Sequence, residues 1–180
     1  MFTRLEAPIT RSPKALMYGP AGSGKSTLAA TKARDYATKS HGAVYYIDME
    51  SGAGCAVNAG DYYVVAQTPD EVDDAVNAAA AANDCQSLVI DGCTTYYAML
   101  LLAGDGTGEL WRARIERLCQ RLVGAPIAVY LCQRAKEKRD GYKVTGWTVD
   151  GPDIWGYYMD YMILTHYRSG SGFTVTKARK

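Results

Sequence analysis

The chain of 180 residues reads as a three-layer α/β domain: a mostly parallel sheet, helices on both faces, and an antiparallel hairpin closing the C-terminal edge. Short, continuously apolar runs at 15–18, 44–47, 87–90 and 127–131 have the composition of strands covered on both faces, as parallel strands are. Segments with helical periodicity separate them, and the alternation of the two implies crossover connections. A glycine-rich turn joins the first strand to the first helix. Residues 1–14, with Pro8 and Pro13, form a short lead-in, and 15–180 form one domain of a size that fills a core without staples.

Taken in order, the first strand (15–18) feeds a helix that runs to about Lys39, where Gly42 is a natural stop. The second strand, 44–47, ends in Asp48-Met49-Glu50, and Tyr62-Tyr63-Val64-Val65 makes a short third strand. Thr68-Pro69-Asp70-Glu71 is a complete helix start, with a capping threonine, a proline in the first turn and a glutamate for the capping box. Its acidic first turn therefore needs no chemistry to explain it. The strand 87–90 ends in Asp91-Gly92; a tyrosine-containing segment and a glycine-rich loop lead to a helix over 109–123, with Leu110, Ile115, Leu118 and Leu122 as its expected buried face. After the strand 127–131 and Cys132-Gln133, residues 134–156 read as a long irregular loop. Runs at 159–165 and 173–176, around Ser169-Gly170-Ser171-Gly172, complete the hairpin.

The glycine-rich turn carries the chemistry. Gly19-Pro20-Ala21-Gly22-Ser23-Gly24-Lys25-Ser26-Thr27 fits G-x-x-x-x-G-K-[ST], with a strand before it and a helix after it. Glycines let such a loop fold into a nest of backbone N–H groups facing an anion, and the helix adds its positive end to the same point. Lys25 then reaches the β- and γ-phosphates of a nucleoside triphosphate, the Ser26 hydroxyl ligates Mg²⁺, and Thr27 lies near the α-phosphate. Without a ligand, Lys25 is expected to face solvent.

Ligands of open parallel sheets gather at the carboxyl ends of the strands. Glu50, Asp91 and Gln133 each stand at such an end, on the side of the phosphate loop. Asp91 has the position of a Walker-B aspartate, holding Mg²⁺ through a water. Glu50 is the candidate for orienting and polarising the attacking water, and Gln133 for hydrogen-bonding the γ-phosphate.

Net charge is +1, which excludes a global basic field that would recruit nucleic acid or membrane, so any such binding needs a local patch. The five cysteines form no C-x-x-C pair and have no histidine at ligand spacing. They read as reduced core thiols in a cytoplasm, in keeping with an N-terminus that lacks an apolar leader. No segment approaches a membrane span. His41 and His166 read as structural or surface residues, and the series Arg112, Arg114, Arg117, Arg121 as a solvated helix face.

Residues 19–27, Tyr46-Ile47-Asp48-Met49-Glu50, Val89-Ile90-Asp91-Gly92, Val129-Tyr130-Leu131-Cys132-Gln133 and Thr176-Lys177-Ala178-Arg179 together resemble the core of RecA-type recombinases, in order and at similar spacing. More closely they resemble single-domain RecA-like P-loop ATPases of phages, one group of which assists single-strand DNA annealing and recombination. The resemblance covers about 14–179. It implies ATP and Mg²⁺ as cofactors, Glu50 as the catalytic glutamate and Gln133 as the γ-phosphate sensor. It also implies that 134–156 stands where the family has its second DNA-binding loop. Lys177 and Arg179 match a basic pair that reaches the ATP of the adjacent protomer. A homo-oligomer, ring or filament, with its active site at the protomer interface is therefore expected in the cytoplasm of an infected host. Single-stranded DNA and a single-strand binding protein are the expected partners. The family's separate oligomerisation helix and DNA-gating domain have no counterpart in these residues.

The composition of 134–156 suits single strands in its own right. Arg134, Lys136, Lys138, Arg139 and Lys143 supply charge, and Tyr142 and Trp147 supply stacking surfaces. Glu137, Asp140, Asp150 and Asp153 dilute that charge, and Trp155 is equally suited to pack into the sheet. Two other functions fit the phosphate loop: a small-molecule kinase with 134–156 as its lid, and a nucleotide-dependent assembly module that does not bind DNA.

Overall fold

The computed structural model describes residues 11–52, 54, 56–103, 110–167 and 171–178. In chain order the elements are β1 (Lys14–Gly19), α1 (Lys25–Lys39), β2 (Ala43–Asp48), β3 (Tyr62–Val65), α2 (Pro69–Ala81), β4 (Cys85–Asp91), α3 (Cys93–Leu102), α4 (Leu110–Gly124), β5 (Ala128–Asp140), β6 (Lys143–Val149), α5 (Ile154–Tyr158), β7 (Tyr161–Tyr167) and β8 (Ser171–Ala178). The strands lie in the order β3-β2-β4-β5-β1-β7-β8, with β6 paired to the outer half of β5. All neighbours from β3 to β7 are parallel, whereas β7–β8 and β5–β6 are antiparallel. The expected three-layer sheet with its C-terminal hairpin is the fold observed.

Alternation along the strands builds two cores. Ala15, Met17, Val89 and Cys132 face α1, which meets them with Ala29, Ala30, Ala33 and Ala37, side chains small enough to let the helix lie close to the sheet. Leu16, Tyr18, Ile90 and Leu131 face the other way, toward α2, α3, α4 and the buried Trp155 of α5. The ring of Trp155 meets that of Tyr96 edge-on, with centroids 5.9 Å apart. Four described cysteines, Cys85, Cys93, Cys119 and Cys132, are buried and unpaired, as small core residues. The capping box forms: Thr68 Oγ1 accepts from the Glu71 amide and Glu71 Oε2 from the Thr68 amide, both at 3.3 Å.

The structure corrects the sequence reading at four places. Residues 93–102, for which the sequence suggests no element, form α3; apart from Thr94 and Thr95 the segment is apolar or aromatic and so shows no amphipathic period. The irregular loop at 134–156 is instead a β-ribbon, β5 continuing into a hairpin with β6, followed by α5. Asp140 pairs with Lys143 across the turn Gly141-Tyr142, and Gly141 has φ 57°, the left-handed geometry such hairpin turns require. On α4, Ile115, Leu118 and Leu122 are buried with Cys119, but Leu110 is exposed. Arg114 and Arg121 are not merely solvated, since both pair with Asp73 of α2, and Arg114 also with Asp70. At the hairpin, Ser171 and Gly172 belong to β8 and not to the turn; residues 168–170 lie outside those described.

Candidate active site

The loop from Gly19 to Thr27 links β1 to α1. Gly22 and Gly24 have φ of 72° and 85°, conformations that L side chains rarely adopt. Gly24 is the N-cap of α1, and neither a capping side chain nor an acidic residue serves the first turn. The amides there are thus left to an anion. Lys25 is partly exposed, and its ammonium donates to the Pro20 carbonyl at 2.9 Å, a bond a phosphate oxygen can replace.

Gly19 has a packing reason of its own. A Cβ on it would lie 2.3 Å from Thr165 Oγ1, 2.4 Å from the Thr165 carbonyl oxygen and 2.7 Å from Ser23 Oγ. Thr165, on β7, is buried and hydrogen-bonds Ser23 Oγ at 2.6 Å, tying the loop to the neighbouring strand. Gly19→Ala is therefore expected to cost roughly 1–3 kcal/mol through backbone displacement, several degrees of melting temperature. A thermal melt coinciding with that of the unaltered chain would refute this.

Opposite the loop, the ends of β2 and β4 bring two buried carboxylates into register, Asp48 beside Asp91. Asp91 Oδ2 accepts from the Tyr46 hydroxyl at 2.7 Å. The Ser26 hydroxyl, in the first turn of α1, is near enough to favour the charged form of the same carboxyl group. Burial raises the Asp91 pKa, the Ser26 and Tyr46 bonds pull it back, and the charges of Glu50 and Asp48 push it up again. The net shift is upward, with burial as its largest cause. Burial likewise drives the Tyr46 phenol far above its ordinary range.

No group of three or more His, Cys, Asp or Glu placed to hold a metal occurs among the described residues. One hydroxyl and one carboxylate, both hard oxygen donors, suit Mg²⁺, which keeps several waters and takes the rest of its shell from nucleotide phosphates. The predicted pair, Ser26 and Asp91, supplies donors of that kind.

Glu50 follows β2. Its Oε1 accepts from Thr95 Oγ1 at 3.0 Å and from Arg134 Nε at 3.1 Å, and its amide donates to Asp48 Oδ1 at 2.8 Å. The second oxygen of Asp48 takes the Tyr63 hydroxyl at 2.9 Å. Gly92, with φ 109°, lets β4 turn into α3 directly against Glu50, whose Cγ a Cβ there would meet at 3.0 Å. Gln133 is buried and, by strand alternation, on the opposite face from Asp91. Its amide nitrogen donates to the carbonyls of Asp150 at 2.9 Å and Pro152 at 3.3 Å, while Oε1 is buried without a hydrogen bond. Gln133 therefore braces the foot of the ribbon.

On the ribbon, Lys136, Lys138 and Lys143 are exposed and Tyr142 stands fully out at the tip. Arg139 is held by Glu137 and Arg134 by Glu50, which reduces the cations free to meet a polyanion. Trp147 is half-buried opposite Glu137. Lys177, on β8, donates to the Gly156 carbonyl of its own chain at 2.5 Å; Arg179 lies outside the described residues. Tyr46, Asp48, Tyr63 and Thr95 were missed. Asp48 stands two residues before Glu50, a signal of sorts, whereas the tyrosines read as ordinary strand residues.

Residues 11–153 match the family described as AAA domain. No curated protein matches the chain.

Proposed function

Since the chain belongs to the AAA-domain family of P-loop NTPases, we propose that it binds and hydrolyses ATP with Mg²⁺ and acts on single-stranded DNA in phage-type recombination or annealing. The observation that carries the nucleotide reading is the loop itself: Gly22 and Gly24 at positive φ, Gly24 as the N-cap of α1 without a capping side chain, and Lys25 held over the loop by the Pro20 carbonyl. The loop amides and Lys25 take the phosphates, and Glu50 orients the attacking water. Mg²⁺, when bound, offsets the charge developing on the transferred phosphoryl group. Gln133 joins the phosphate end of the sheet to the ribbon through residues 150–152.

The ribbon is the proposed single-strand interface, with lysines following phosphates and Tyr142 stacking on a base. Lys177 and Arg179 act on a neighbouring copy's nucleotide in a homo-oligomer; for Lys177 this requires exchange of the Gly156 contact.

Phosphate release from ATP, measured with and without single-stranded DNA and with a check for phosphorylated acceptors, tests the whole reading. Stimulated release without an acceptor is expected; a phosphorylated small molecule would make the protein a kinase. For the interface, the triple variant Lys136→Ala, Lys138→Ala, Lys143→Ala is expected to flatten the dependence of log K on log salt by roughly 0.7 per lost phosphate contact. An unchanged slope would remove the ribbon from DNA binding.

A further inference from the structure

Tyr46 looks like a core residue: it sits inside β2 and is almost wholly buried among the side chains that face α1. Its hydroxyl, however, is not spent on a backbone carbonyl. It donates at 2.7 Å to Oδ2 of Asp91, at the end of β4. A phenylalanine would fill the same space. The one function of the oxygen is to hold a particular carboxylate oxygen in a particular direction.

We infer that Tyr46 is a positioning residue for the metal: by occupying Oδ2 from behind, it turns the other oxygen of Asp91 toward the loop, where Ser26 stands. This rests on the proposed Mg²⁺–ATP site. An aspartate has a free χ2 torsion, so a lone Asp91 would sample several directions. A hydrogen bond from a rigid, ring-mounted donor on the next strand removes that freedom before the ion arrives. The register supports the arrangement, since β2 and β4 are direct parallel neighbours and Tyr46 sits opposite Val89, two residues before Asp91 on the same face. Partners that orient metal-ligating carboxylates typically contribute 10–100-fold in metal affinity or activity.

The test is nucleotide binding by Tyr46→Phe, titrated with Mg²⁺ and followed by fluorescence of a labelled ATP analogue. The Mg²⁺ midpoint is expected to rise roughly 10–100-fold, while affinity for the nucleotide in EDTA, set by the loop and Lys25, stays unchanged. In an Asp91→Asn background, Tyr46→Phe is expected to add nothing, because the two act as one unit. An unshifted midpoint, or additive effects of the two substitutions, would overturn the assignment. If nucleotide affinity in the unaltered chain ignores Mg²⁺ and Asp91→Asn altogether, it is the metal reading that fails, and Tyr46 falls with it. Should Tyr46→Phe fail to fold, the double variant with Asp91→Asn decides. Recovery of the fold makes Asp91 the group that Tyr46 serves; no recovery leaves Tyr46 a packing residue and overturns the proposal.

Discussion

Replacing Lys25 by alanine is expected to lower ATP turnover roughly 10²–10³-fold, the scale for removing one preorganised donor from a developing negative charge. Nucleotide affinity should fall with it, because the ammonium contacts the β- and γ-phosphates in ground and transition states alike. The fold should survive. The Lys25 ammonium donates to the Pro20 carbonyl in a place water can still reach. Losing a bond of that kind costs about 1 kcal/mol, or about 2–4 °C of melting temperature for a chain of this size. Isothermal titration with ATP and a thermal melt separate the two effects. Unaltered affinity and turnover would dismiss the phosphate loop as the nucleotide site.

Glu50→Gln should leave ATP bound and slow its hydrolysis by roughly 10²–10⁴, the contribution of a positioned general base. The substitution is mild structurally: a glutamine carbonyl oxygen can accept from Thr95 and Arg134 as the carboxylate does, so the local geometry should hold. What disappears is the negative charge that polarises the water. Single-turnover phosphate release, alongside the ATP dissociation constant, is the measurement. Turnover within a factor of two of the unaltered chain would reduce Glu50 to the anchor of Arg134, and the ion pair between them would then serve only to fasten the ribbon to the sheet.

The contrast between Lys25 and Arg134 illustrates which parts of the site could be read before folding. Lys25 belongs to a contiguous motif whose every residue lies within one turn of backbone, so strand, glycines and helix start all report on it locally. Asp91 and Glu50 were legible for a related reason, since each ends a short apolar run and strand ends in parallel sheets share one rim. Arg134 carried no such signal. It sits 84 residues from Glu50 in sequence, and only the placing of β5 and β2 on either side of β4 brings the two to 3.1 Å.

The ribbon was misread for a different reason. Residues 136–140 are five consecutive charged side chains, so no apolar face announces a strand there, and beyond Arg134 the outer half of β5 pairs with β6. The Asp140-Gly141 turn was the available clue. Segment α3 failed in the opposite sense: Tyr96 and Leu100 are buried and Leu102 exposed, yet everything after Thr94 and Thr95 is apolar or aromatic, and uniform hydrophobicity has no period to detect.

The amino-acid sequence by itself determined the phosphate loop, the four central strands, the capped start of α2 and the residues at the rim. Backbone sterics, glycine torsions and hydrophobic periodicity act over a few neighbours and so are written in order along the chain. Tertiary structure alone decided which rim residues meet. It joined Tyr46 to Asp91, Arg134 and Thr95 to Glu50, and Gln133 to residues 150–152. Those pairings follow from strand order and register, which are set by burying two cores at once against opposite faces of one sheet. That condition belongs to the whole chain and to no single stretch of it.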